Sequence, residues 1–187
     1  MTVGLSVEKG KQETPPLELH YLGDKVLRQK AKRIAKVDDE IRTLAKEMLQ
    51  TMYSSQGIGL AAPQVGVNKR LIVIDTDPEN PANEPLVLIN PEIKKFGQQL
   101  CPFEEGCLSI PGVHLDVIRP DEIEVSYRDE QGKPKRIKAS GLLSRVIQHE
   151  IDHLDGVMFV DRVENEIALS SQLKQRGFAL KSVQRIS

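Results

Sequence analysis

Gln148-His149-Glu150-Ile151-Asp152-His153 sets two imidazoles four residues apart around a glutamate. On a helix such a pair points within about 40° of each other, one turn apart, so both rings can reach one metal ion. Glu150 then falls roughly 100° from His149 and 60° from His153. There its carboxylate flanks the metal and can hold a water instead of serving as a third ligand. This is a hydrolase constellation; the plain alternative is a solvated His pair on a charged helix face, against which the Glu and the apolar neighbours argue. Leu142 and Val146 project on the same side as His149, at about 20° and 60°, while Ile147, Ile151 and Leu154 cluster opposite. The second face is a core stripe. The first is either core as well or the wall of a pocket for an apolar substrate group.

A catalytic metal site needs a third protein ligand and one open position. The metzincin pattern, His-Glu-x-x-His-x-x-Gly-x-x-His, is kept at Gly156, but Phe159 stands where its third His would be. Glu164 and Glu166, the downstream carboxylates of a thermolysin-like scheme, lie in a polar stretch that reads as solvated helix. The other strong ligand types are Cys101, Cys107, His20 and His114. Cys107 sits in Glu105-Gly106-Cys107-Leu108-Ser109-Ile110-Pro111, an apolar strand end with a tight turn, and alone it reads first as a small buried hydrophobe. Gly57-Ile58-Gly59-Leu60-Ala61-Ala62-Pro63-Gln64-Val65-Gly66 lacks the helix-opening Gly or Gly-Lys-Ser/Thr of nucleotide loops, so no phosphate site is read there. Its glycines permit close approach of another backbone, such as a peptide adding itself as a strand; the structural alternative is a turn with Gly57 as a left-handed residue closing the preceding helix.

Taken in order, the Gly-rich segment, Glu-Gly-Cys-Leu-Ser and Gln-His-Glu-x-x-Asp-His form three separate motifs. Over about Leu17 to Asp161 the chain resembles the peptide deformylase family, metal enzymes that remove the N-formyl group from newly made bacterial and organellar proteins. The resemblance implies Cys107, His149 and His153 as ligands of one divalent metal, with water or hydroxide in the fourth position. It implies Glu150 as the base that takes a proton from that water and later passes one to the departing amine. It assigns the Gln64 side-chain amide and the Leu108 backbone N–H to the oxygen that becomes an oxyanion. It also makes Ile58, Gly59 and Gly106 contacts of an extended substrate.

An apolar, unbranched methionine side chain needs a moderately wide pocket, and Ile58, Leu142 and Val146 are suitable walls. The preference for methionine and for the formyl group comes from the resemblance alone. One thiolate and two imidazoles suit iron(II), zinc, nickel or cobalt; the family implies iron(II), with loss of activity in air expected because an oxidisable sulfur binds it. Glu105 and Arg119 can form an ion pair bracing the Cys107 strand. The implied partners are N-formylmethionyl nascent peptides and, through a mildly basic tail (Lys174, Arg176, Lys181, Arg185), the ribosome, although a solvated chain end is the favoured reading of that tail. The loop Gly112 to Pro120 resembles the plastid and cyanobacterial branch. Two other classes stay open: a peptidase-type metallohydrolase, and a non-catalytic, metal-stabilised peptide-binding module with a closed four-ligand site.

The elements that must position these residues read as an α+β fold, with mixed or antiparallel sheets packed around a central metal-binding helix, an N-terminal helix and a C-terminal helix. The chain has 187 residues, 39% of them hydrophobic, enough for one core and with no composition shift that marks a second. Residues 1–16 are polar with Pro15-Pro16 and are expected to be a disordered arm, followed by a single domain over 17–187. Asp38 or Asp39 caps a helix to about Ser55 with Ile41, Leu44, Met48 and Met52 inside. Strands are expected at 70–75, 86–89, 101–109, 113–118 and, as a hairpin across Gln131-Gly132, at 122–127 and 135–138. Ser140 or Gly141 opens the metal helix, and a last helix runs from about Glu164 to Gln175. A net charge of −1 argues against a general nucleic-acid binder. No apolar run of membrane-spanning length and no signal core is seen, so a cytoplasmic protein is expected. Two cysteines six apart do not form a disulfide framework, and Cys101 reads as a free thiol.

Overall fold

The four residues of β2 (Leu71–Ile74) are all apolar and all buried, and a strand buried on both faces must be covered from both sides. Side chains alternate along a strand, so Leu71 and Val73 join Met48, Leu49 and Met52 of α1 (Asp39–Ser54) in one core. Ile72 and Ile74 join Val146, Ile147 and Ile151 of α2 (Gly141–Leu154) in another. The sheet is therefore the middle layer between two helices. The computed structural model describes residues 5–186.

The remaining strands are β1 (Gly59–Ala61), β3 (Leu86–Phe96), β4 (Leu100–Cys107), β5 (Ile110–Pro120), β6 (Glu122–Arg128) and β7 (Pro134–Ser140). Five form an antiparallel sheet in the order β1-β2-β3-β6-β7, and β4 and β5 form a separate antiparallel ribbon. A third core lies behind that ribbon, where Val113, Leu115 and Val117 of β5 meet Leu169 and Leu173 of α3 (Glu166–Gln175). The buried helix α2 is thus enclosed between the sheet and the ribbon, as the α+β expectation required.

Local chemistry explains most boundaries. Asp38 caps α1 by accepting the Ile41 N–H, and Asn165 does the same for α3 through the Ala168 N–H. β3 runs past its expected end at Ile89: Pro91 has no N–H to donate, and the pairing with β6 shifts register between Ile89 and Glu92 and then resumes. The expected strand to Ser109 instead turns at Leu108-Ser109, so that Cys107 pairs with Ile110. β1 was not expected, because three residues inside a glycine-rich run carry no strand pattern. The left-handed residue after α1 is Gln56 (φ 57°), not Gly57. Gly57 is needed for space, since a β-carbon there would stand 2.7 Å from Leu108 Cδ1. Leu44 lies only partly buried beside the α1 core, and Ala45 and Leu49 take the central places.

The described part of the arm, residues 5–16, has no helix or strand yet makes defined contacts. Leu5 and Val7 pack against the α1 core. Lys9 donates to the carbonyls of Asn80 and Asn83 and pairs at 2.7 Å with the buried Asp75, which also accepts from Tyr53 Oη and Asn83. Burial pushes Asp75 toward the neutral form, but Lys9, Tyr53, the Asp77 N–H and Asn83 outweigh it and hold its pKa below the usual carboxylate range. One cation therefore fastens a segment whose composition alone promised disorder. Lys9→Ala should lower stability by about 1–2 kcal/mol, read from urea denaturation. An unchanged midpoint would mean that the arm does not stabilise the domain.

Candidate metal centre

α2 begins with Gly141 at φ 57° after the extended Ser140, and from Ser144 to Leu154 every residue is buried. A helix so enclosed has its histidines fixed by packing. Ligand-type atoms of Cys107, His149 and His153 all lie within 4.8 Å of one another, and Cys107 Sγ stands 3.3 Å from His153 Nε2. β4 supplies the cysteine at its last residue, where the Leu108-Ser109 turn aims it at the helix. Among the described residues this group numbers three, and neither Cys101, His20 nor His114 joins it.

His149 Nδ1 lies 2.9 Å from Glu105 Oε2, which leaves Nε2 for the side of the cysteine. Burial opposes a charge on His149, but the Cys107 sulfur and the Glu105 carboxylate outweigh it and raise its pKa well above the ordinary value. Burial and the neighbouring His149 drive His153 the other way. One sulfur and two imidazoles make a soft, nitrogen-and-sulfur donor set that fits a transition-metal ion or zinc.

Glu150 is 4% exposed, and its Oε2 has no hydrogen-bond partner. Burial is the main cause that lifts its pKa to about 7. A carboxyl poised near neutrality and unpaired beside three donors is suited to exchanging protons. Gln64 lies buried across the site. Its Oε1 accepts from the Ala61 N–H at 2.9 Å, so its Nε2 is turned toward Ser109 Oγ at 3.1 Å and Cys107 Sγ at 3.5 Å.

These groups open onto a cleft of about 660 Å³. Gly57, Ile58 and Gly59 line one bank, Gly106, Cys107 and Leu108 the other, and Val146 and the 45%-exposed Leu142 lie between them. The site residues implied by the family resemblance thus meet at one cleft, except His153, which sits behind it, 1% exposed. Gly59 belongs to β1, an edge strand of the sheet, which leaves one side of its backbone for an added strand.

The sequence model of the family described as Polypeptide deformylase matches residues 16–168. The chain belongs to that family. It is 98% identical over its full length to the peptide deformylase of Picosynechococcus sp. and 60% identical, again over all of both chains, to that of Synechocystis sp.. The crystal structure of the Synechococcus elongatus peptide deformylase in complex with actinonin superposes with a TM-score of 0.97, at 59% identity, covering 98% of this chain and 100% of the other. A plant peptide deformylase structure gives 0.81 at 41% identity, covering 88% and 89%.

What sequence reasoning missed in this deformylase is the ionic frame behind the ligands. Of that frame the sequence offers the Glu105–Arg119 pair alone, and both residues are buried, 5% and 3% exposed. Arg119 binds Glu105 through two nitrogens, at 2.5 and 3.0 Å, and reaches Asp152 at 2.8 Å. Arg145 adds a 2.8 Å bond to Glu105 and donates to the carbonyls of Val117 and Cys101. Arg162 closes the frame by binding both oxygens of Asp152. Burial would raise Glu105, but His149 and Arg119 outweigh it and hold it far below the usual carboxylate range. Two charges inside the helix, Arg145 four residues before His149 and Asp152 three after it, were the available signal. Phe159, in the place of the metzincin histidine, is buried and stacks on the His149 ring at 5.9 Å.

Gly59 is the point where its bank and α2 constrain each other. A β-carbon there would lie 2.5 Å from Glu150 Oε1 and 2.8 Å from Val146 Cγ1. Gly59→Ala should displace the end of the Glu150 side chain, press on the buried, β-branched Val146 at a cost of about 1–3 kcal/mol in stability, and lower kcat at least about tenfold. Thermal melting beside formate release checks this; full activity would show that Glu150 can be moved without consequence.

Proposed function

We propose that this deformylase hydrolyses the N-formyl group of formylmethionyl peptides with Cys107, His149 and His153 as ligands of one divalent metal and Glu150 as the proton-transfer group. The observation that carries the assignment is a single one: an unpartnered, buried carboxyl oxygen beside three clustered soft donors at the floor of an open cleft. When bound, the metal supplies a Lewis acid that polarises the formyl carbonyl and acidifies a water. Iron(II) is the proposed native ion.

The chain's own residues do the rest. Glu150 takes a proton from the attacking water at its unpaired oxygen and returns one to the nitrogen of the departing peptide amine, so that formate and a free amino terminus leave. The Gln64 amide, held in place by the Ala61 N–H, turns its Nε2 toward the site, and the Leu108 N–H at the β4 turn is its proposed companion donor to the oxyanion. Ile58, Leu142 and Val146 receive the methionine side chain. The edge of β1 at Gly59 and the facing backbone at Gly106 receive the extended peptide. A methyl in place of the formyl hydrogen meets a narrow floor, which excludes acetylated chains.

We place this activity in the cytoplasm, on chains leaving the ribosome. Among the described residues no helix is long and apolar enough to cross a membrane. Of the basic tail, Arg176 binds the Gly112 carbonyl, and Arg185 binds the Val163 carbonyl and Glu166, which leaves Lys174 and Lys181 as its outward cations for any ribosomal contact.

Iron(II)-loaded protein kept free of oxygen should release formate from a formyl-Met tripeptide and none from its acetyl-Met counterpart; release from neither would overturn the proposal. Glu150→Gln should retain one metal per chain and lose about 10²–10⁴ in kcat. A variant that binds metal and still turns over at the wild-type rate would remove Glu150 from the mechanism.

A further inference from the structure

Gln172 and Arg176 lie beyond the residues that the family model matches, yet both reach back to the cleft. The Gln172 side chain clasps the backbone of His114 in both directions: Nε2 donates to the His114 carbonyl at 2.7 Å, and Oε1 accepts from the His114 N–H at 2.9 Å. Arg176 Nε donates to the Gly112 carbonyl at 3.1 Å. Gly112 has φ 78°, and a β-carbon on it would stand 2.8 Å from Arg176 Nε, so the approach of the guanidinium depends on glycine. Beneath these contacts Leu169 and Leu173 are buried with Val113 and Leu115. One short piece of β5 is thus gripped twice by α3 and its end, Val113 and Leu115 by burial and Gly112 and His114 by hydrogen bonds.

Gly112 and His114 line the cleft. The His114 ring lies over Gly106, where a β-carbon would stand 2.8 Å from its Cδ2, and Gly106 directly precedes Cys107. The rim therefore continues outward the bank that starts at the metal centre. The hydrogen bonds of Gln172 and Arg176 involve neither Cys107, His149, His153 nor Glu150; Cys107 meets only the apolar cluster beneath them.

We propose that Gln172 and Arg176 are positioning residues for substrate: they hold the Gly112–His114 rim where it meets the peptide beyond its first residue. This rests on the deformylase reading and on an extended substrate. A clasp that fixes a rim, and touches none of the proton-transfer or ligand groups, acts on peptide affinity and leaves turnover alone. If α3 only covers a core, its loss weakens the fold and affects every substrate alike.

The test compares wild type, Gln172→Ala/Arg176→Ala and the milder Gln172→Glu, which keeps the acceptor and removes the donor to His114. Formate release is followed from formyl-Met amide and from a formyl-Met tripeptide, with metal content and melting temperature recorded. The expected result for the double variant is KM for the tripeptide raised about fivefold, with kcat within about twofold and formyl-Met amide kinetics unchanged. Gln172→Glu should show the same split at about two- to threefold, and decides the matter if the double variant does not fold. Equal changes on both substrates, or an unchanged tripeptide KM, would overturn the proposal. The same variants on a Glu150→Gln background are titrated with a fluorescein-labelled formyl-Met tripeptide and followed by anisotropy. Binding weakened by the same factor supports the clasp, and unchanged binding refutes it, even if no protein releases formate and the deformylase reading itself falls.

Discussion

The site depends on one buried carboxylate. Glu105 of β4 accepts from Arg119 of β5, Arg145 of α2 and the ring of His149, so a single side chain ties the ribbon to the helix. It also fixes which His149 nitrogen is left for the site, since Nδ1 is already committed. Cys107 lies two residues further along the same strand. The spacing of thiol and imidazole is therefore set by the geometry around Glu105, across elements that are far apart in sequence.

Such a frame is costly. Glu105, Arg119, Arg145 and Asp152 are each no more than 8% exposed, and buried ion pairs are commonly matched or bettered in stability by apolar residues of equal volume. Stability does not account for four charged side chains here. Position does: Asp152 and Arg145 stand one turn to either side of His149, and Arg119 braces Glu105 and Asp152 at once. The helix can neither slide nor rotate without unpairing a buried charge, which is the penalty a ligand helix needs when its metal ligands come from two elements.

Much of this was legible in the residues. The HExxH spacing, the two apolar faces of α2 and the Gly-rich and Glu-Gly-Cys segments led to the cleft, because helix periodicity is local and survives in any context. The Asp38 cap and the β6–β7 hairpin were readable for the same reason. What failed was nonlocal. β1 exists only through pairing with β2, and β3 outlasts Pro91 only because β6 accommodates a register shift. The Glu105–Arg119 pair was legible, but nothing in either strand shows that Asp152 and Arg145 of α2 join it. Lys9 likewise gains its partner only from Asp75, which lies sixty-six positions away.

Glycine usage shows how the two scales meet. Gly57, Gly59, Gly106 and Gly112 all border the cleft, but only Gly112 has a left-handed backbone. The other three are required for what stands beside them: Leu108 at Gly57, Glu150 and Val146 at Gly59, His114 at Gly106. A substrate that adds as a strand needs bare backbone on both banks, and a buried carboxylate that must reach the floor needs an opposite wall without a side chain. The same absence of a β-carbon at Gly59 serves both demands, so the edge left open to an added strand and the gap that admits Glu150 are one feature of the fold.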